Sequence, residues 1–187
     1  MRRKLVPAIV VVFAAAVVVL LVYGLTQQGE SRALDNAIAD RRYLPAPETS
    51  RQLPALDRVG TAYASLGRWR GKVVVLNFWA SWCSTCTAEA PLIEQAQRSL
   101  AASGAGTVVG VDYEDASSKA RGFIGQYGFS FPNIRDVDGS FASSFGTDAL
   151  PETFVLDRNQ HVVALWRGPV PSEAALRGAI ALAERTT

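Results

Sequence analysis

The sequence predicts an α/β domain whose mixed central sheet starts parallel, ends antiparallel and carries helices on both faces. Three observations lead there. Residues 73–78, Val-Val-Val-Leu-Asn-Phe, are a nearly unbroken apolar, β-branched run, as a strand covered on both faces requires. A helical pattern through Leu100 and a second buried run at residues 107–111 follow, and strand–helix–strand of this size is a right-handed βαβ unit. Near the end, residues 153–156 and 161–166 read as strands around the turn Asp157-Arg158-Asn159-Gln160, which makes a hairpin.

In chain order, residues 5–29 contain no charge, and 5–25 are almost wholly apolar. As a helix, residues 5–25 span roughly 31 Å at ~1.5 Å per residue, about one hydrocarbon core. A cleaved signal peptide would have a shorter apolar region and a small-x-small site, which Tyr23-Gly24-Leu25-Thr26 does not supply. The expectation is one N-terminal transmembrane helix, with residues 1–25 as cytoplasmic end and anchor. Arg2, Arg3 and Lys4 keep the N-terminus inside, so the rest lies outside the cytoplasm, in the periplasm or its equivalent. Residues 26–52 mix Gln, Gly, Ser, Pro and both charges and read as an extracytoplasmic linker, with a short helix possible across 33–42. The folded domain is expected over 53–187.

Within that domain, Ala116, Ala120, Phe123, Ile124 and Tyr127 recur at helical spacing, with Ser117 as a cap and Gly128 as a stop. Residues 129–134 suit a short strand and 140–145 a short helix. Ser172 caps a last helix whose Leu176, Ile180 and Ala183 face inward.

Charge and composition exclude some functions. The chain has 19 Lys+Arg against 17 Asp+Glu, and three of the basic residues precede the apolar run, leaving 16 against 17. Nothing there suits nucleic acid as a partner. Two cysteines cannot build a disulfide-stapled mini-protein or a four-thiolate zinc site, and the one histidine, His161, rules out a His-rich metal cluster.

Those two cysteines stand three positions apart in Trp82-Cys83-Ser84-Thr85-Cys86, a spacing that chance gives to about 1% of pairs. They follow the central strand directly and open a helix. A helix N-terminus offers unpaired N–H groups and partial positive charge, which favour thiolate over thiol. Cys83 is expected exposed at the turn with its pKa lowered, as the attacking nucleophile. Cys86, one turn on, is sheltered and placed to resolve a mixed disulfide. A permanent disulfide closing so short a loop would stabilise little, and two thiolates alone make an incomplete zinc site. No cofactor beyond the Cys83–Cys86 disulfide is expected.

The segment Val74 to Cys86, Val-Val-Leu-Asn-Phe-Trp-Ala-Ser-Trp-Cys-Ser-Thr-Cys, resembles the active-site segment of thioredoxin-fold proteins. Leu150-Pro151-Glu152-Thr153-Phe154-Val155-Leu156-Asp157 resembles the cis-proline segment of one branch, the membrane-anchored TlpA/ResA/DsbE-like thiol–disulfide oxidoreductases, many of them used in cytochrome c maturation. Glu89 and Pro91 also match it. The resemblance covers about residues 53–187 and implies a thioredoxin-like fold. It implies that Cys83 is the nucleophile, Cys86 the resolving thiol and Pro151 a cis-proline packed against the pair. It further implies disulfide-containing clients such as apocytochrome c and a transmembrane electron donor.

Around the pair, Glu89 is a candidate proton acceptor for Cys86, set against a solvated helix residue. Glu152 is expected as an edge-exposed acid that adds charge near the pair. Trp82 shields the disulfide, Trp79 packs beneath it, and Trp69 and Trp166 suit core or strand positions. Two departures from the pattern stand out. Asn77 holds the place where thioredoxins have a buried aspartate, and Gly146-Thr147-Asp148-Ala149 lacks the branch's Val and second Gly. Ser84-Thr85 carries no His to stabilise the reduced form, so the direction expected is reduction. Alternatives are a general disulfide oxidase or isomerase, a peroxidase lacking its usual lone Cys flanked by Thr and Arg, a redox-inert docking module, and a copper-chaperone-like metal-binding protein. The last needs a wider Cys spacing and a mobile-loop His, where His161 opens a strand.

Overall fold

The computed structural model describes residues 13–20, 33–56 and 62–186. Among these no helix is long and apolar enough to cross a membrane. The expected anchor lies mostly outside the described residues; its 13–20 part is helical (α1), with exposed apolar side chains.

The rest is built around a six-stranded sheet in the order β1-β8-β7-β4-β5-β6. Its strands are β1 (Leu44–Pro45), β4 (Val73–Trp79), β5 (Gly106–Tyr113), β6 (Asn133–Asp136), β7 (Glu152–Leu156) and β8 (His161–Arg167). β4–β5 and β5–β6 pair in parallel, while β4–β7 and β7–β8 are antiparallel, which is the expected mixed sheet. β4 is buried at all of its positions, as its composition requires.

Alternation along β4 sends its residues to two layers. Val74, Leu76 and Phe78 join Leu34 of α2 (Ala33–Ala39) and Phe141 of α5 (Ser140–Ser144) on one face. Val73 and Val75 join Ile93 and Leu100 of α3 (Ser84–Ser103) and Leu176 and Ala183 of α6 (Glu173–Arg185) on the other. Ser172 caps α6 as expected, its hydroxyl accepting from the Ala175 N–H at 3.1 Å.

Three expectations need correction, and one element goes beyond them. The segment 26–52 is not only a linker: α2 and β1 belong to the fold, with Leu34 and Ala46 in the core and Pro45 paired with His161. α4 (Ser117–Tyr127) is capped at Ala116, without a side-chain bond, rather than at Ser117. The strand expected at 129–134 begins at Asn133: the Ser130 N–H donates to Glu94 Oε2 at 2.9 Å instead of to a neighbouring strand, and the Phe129 and Phe131 rings on either side of it lie 4.4 Å apart. A small hairpin of β2 (Leu53–Pro54) and β3 (Tyr63–Ala64) had no counterpart in the sequence reading.

Candidate active site

β4 ends at Trp79, and the chain turns through Ala80 and Ser81 into α3, whose N-cap is Cys83. The turn is held from two sides. Trp79 is buried against Phe123 at 4.9 Å, and its Nε1–H donates to Asn133 Oδ1 at 3.0 Å. That bond passes over Gly110, where a Cβ would come within 1.9 Å of Asn133 Oδ1, so only glycine fits there. The Ser81 N–H donates to Asp115 Oδ2 at 2.7 Å, which ties the start of the turn to the loop after β5.

Cys83 and Cys86 are joined as a disulfide with Cα atoms 5.3 Å apart. Cys83 Sγ accepts from the Cys86 N–H at 3.1 Å, so a sulfur occupies the place of the capping oxygen at a helix start. The unpaired amides and partial positive charge of that terminus therefore bear on Cys83 itself. The expected difference in exposure is absent: Cys83 is 6% and Cys86 4% exposed. What distinguishes them is position, Cys83 at the helix end and Cys86 inside its first turn. Ser84 and Thr85 are exposed, and the Thr85 hydroxyl lies 3.4 Å from Cys83 Sγ. Trp82 is 59% exposed and meets Tyr113 edge-on at 6.5 Å.

The Leu150–Pro151 peptide is cis, and the Thr85 hydroxyl donates to Leu150 O at 3.3 Å. The proline segment thus lies against the first turn of α3. Leu150 also packs with Cys83 and Cys86 in one apolar cluster.

Glu89 is a buried group, 6% exposed, and not a solvated helix residue. Val170 N–H donates to its Oε1 at 2.6 Å and Asn77 Nδ2–H to its Oε2 at 3.1 Å. Burial raises its pKa, and the bonds from Val170 and Asn77 offset only part of that. One turn from Cys86, it lines a groove of ≈ 190 Å³ with Thr85, Ala88, Leu92, Pro169 and Val170. Asn77, in the place of a titrating aspartate, hands its second N–H to Thr153 Oγ1 at 2.9 Å and so orients the carboxylate.

Glu152 also contradicts its expected exposure. It is 1% exposed, facing Arg167 across β7–β8, and the two ends meet at 2.5 Å. Burial raises its pKa while Arg167 pulls it down.

One group escaped the sequence reading. Asp112, paired with Trp79 across β4–β5, is buried with one carboxylate oxygen unpartnered and the other 3.2 Å from Arg135 Nε. Burial outweighs that partner and raises its pKa to about 6. Arg135 also donates to Asp115 O at 2.6 Å, so the charge pair supports the residue that holds Ser81. The adjacent Asp and the Ser81 amide gave no pattern by which sequence could have found this.

His161 sits at the far end of β8 from Arg167, its Nδ1 3.4 Å from Asp157 Oδ2, a strand's length from the disulfide end. Among the described residues no three His, Cys, Asp or Glu side chains are grouped to hold a metal ion.

Comparison with known proteins agrees with this geometry. A family model, Redoxin, matches residues 44–180. The chain is 32% identical over 162 residues to the thiol:disulfide interchange protein DsbE of Escherichia coli (strain K12), covering 85% of this chain and 82% of that one. It is 30% identical over 94 residues to the thiol-disulfide oxidoreductase ResA of Bacillus thuringiensis (strain Al Hakam), covering 50% and 54% of the two. Among solved structures it resembles a secreted thiol-disulfide isomerase from Corynebacterium glutamicum, with a TM-score of 0.68 at 27% identity over 76% of this chain and 87% of that one.

Proposed function

The chain belongs to the redoxin family, and on that premise we propose that this thiol–disulfide oxidoreductase works as a reductant outside the cytoplasm, held to the membrane by its N-terminal apolar segment. Its clients are proteins with a disulfide to open, apocytochrome c foremost. The observation that carries this reading is the sulfur of Cys83 at the N-cap of α3, joined to Cys86.

In the reduced enzyme the Cys83 thiolate attacks one sulfur of a client disulfide. A mixed disulfide forms and the other client sulfur leaves as thiolate. Glu89 takes the proton of Cys86 and passes it to solvent along the groove. The Cys86 thiolate then attacks Cys83 Sγ, the second client sulfur leaves, and the Cys83–Cys86 disulfide forms. Two electrons have moved to the client, and a membrane donor of two electrons returns the enzyme to its dithiol. Pro151 has no N–H, which leaves the backbone beside it to pair with an extended client segment.

The direction follows from charge. Ser84-Thr85 brings no cation to the pair, and Glu89 is a buried acid one turn from Cys86. Negative charge nearby disfavours thiolate, which favours the disulfide and makes the dithiol a better reductant. A copper-chaperone role has no support from His161, which lies with Asp157 at the other end of the hairpin.

Cys86→Ser expressed in the source cell tests the reading. It should accumulate mixed disulfides through Cys83 with cytochrome c precursors among the partners. Normal haem attachment in a deletion strain, with no such precursor trapped, would remove the maturation role.

A further inference from the structure

Arg167 ends β8 on the sheet face opposite to Glu89, and it gathers more partners than any surface arginine needs. Its Nη1 meets Glu152 Oε2 at 2.5 Å. Nη2 donates to Asp35 Oδ2 at 2.8 Å and to Phe145 O at 3.0 Å, while Nε reaches Asp35 Oδ1 at 3.3 Å. The guanidinium also lies over the Phe154 ring, 5.1 Å from its centre.

The partners link separate parts of the fold. Asp35 belongs to α2, the first described helix of the domain. Glu152 follows Pro151 directly. Leu150 accepts from Thr85, whose hydroxyl lies against Cys83 Sγ. An unbroken run of contacts therefore leads from α2 through Arg167 to the attacking sulfur. A buried carboxylate without a partner is costly, so Glu152 can remain charged only while a cation faces it. The flat fork of an arginine serves Glu152 and Asp35 together, which the single ammonium of a lysine cannot. Burial works against the Arg167 charge, and the bonds to Asp35 and Glu152 more than offset it.

We propose that Arg167 is a positioning residue for client reduction: by clamping Glu152 to Asp35 it holds the Leu150–Pro151 segment in register against the disulfide. This rests on the reading above that the proline segment receives the client strand. A small disulfide needs no such segment. The clamp therefore acts on reaction with a peptide and not with a small molecule.

The experiment compares the full chain in detergent with its variants on two substrates, an oxidised Cys-x-x-Cys-His peptide and hydroxyethyl disulfide. Arg167→Met should lower kcat/KM for the peptide about tenfold, mostly through KM, and leave hydroxyethyl disulfide unchanged. Its peptide profile should also gain an acidic transition as unpaired Glu152 takes up a proton. Arg167→Lys should recover only part of the loss. Asp35→Asn, a half-exposed change that tests the clamp even if Arg167→Met does not fold, should cost about threefold on the peptide alone. Equal losses on both substrates, or peptide kinetics within about twofold of wild type in the Arg167 and Asp35 variants, would overturn the proposal. Wild-type protein that reduces neither substrate would instead overturn the oxidoreductase reading on which it rests.

Discussion

Replacing Glu89 by glutamine separates its proton-accepting role from its place in the packing. The carboxylate accepts two bonds, from Val170 N–H at 2.6 Å and Asn77 Nδ2–H at 3.1 Å, and donates none. An amide in its place can keep the bond from Val170 through its oxygen. Its NH₂ then faces Asn77, which must turn its own amide over to accept. Thr153 Oγ1, now an acceptor from Asn77, reverses to donate. The bonds to Val170, Asn77 and Thr153 all survive that exchange, so stability near neutrality should change by no more than about 1 kcal/mol. Sign also matters: a carboxyl whose pKa is raised by folding stabilises the fold below its unfolded pKa, and loses that as pH rises through the folded value. The variant, lacking the group, should gain on wild type with rising pH. Catalysis should respond quite differently. With no acceptor for the Cys86 proton, resolution of the mixed disulfide should slow about a hundredfold at neutral pH. Its pH profile should follow the thiol of Cys86 alone. Stopped-flow tryptophan fluorescence of the reduced protein mixed with an oxidised peptide, from pH 5 to 9, reads this directly. A variant within about threefold of wild type with an unshifted profile would refute the role given to Glu89.

Asp112 offers a second pH test. Its pKa of about 6 against the ordinary 3.8 makes wild-type stability fall by about 3 kcal/mol as pH rises from below 4 to above 6. Asp112→Asn should remove most of that slope in denaturant titrations across the range; an unchanged slope would assign it to other groups. Asp115→Ala removes the acceptor for the Ser81 N–H at 2.7 Å and should slow peptide reduction while the sheet unfolds at nearly its original denaturant midpoint. A parallel loss of both would make the contact structural alone. The equilibrium potential against glutathione should lie below about −180 mV, and a value near the ≈ −120 mV of a strong oxidant would reverse the direction of electron flow.

The residues that sequence read well are those whose neighbours along the chain share their fate. Val73 to Trp79 is apolar but for Asn77 because both faces of β4 are covered, and the turn at Asp157–Gln160 announces its own hairpin. The Cys83 and Cys86 spacing and its place after a strand carried the chemistry. Misread were residues whose environment is made by distant partners. Glu152 looks like a surface acid until Arg167, 15 residues away, reaches it across the fold, and the two readings open for Glu89 are separated only by Val170, 81 residues away. Leu44–Pro45 is too short and proline-rich to advertise a strand, and its partner Val162 lies at the other end of the chain. Cys83 was expected in the open because a helix start usually is. Here neighbouring residues, among them Trp79, Ala80 and Cys86, pack around it.

The most direct test of the central claim is the alkylation rate of each cysteine in the reduced protein, resolved by mass spectrometry as a function of pH. Cys83, at the helix start, should react first and titrate well below the ordinary thiol value of about 8.5, with Cys86 slower and higher. Two thiols that titrate together near that ordinary value, with Cys86 the faster, would contradict the account.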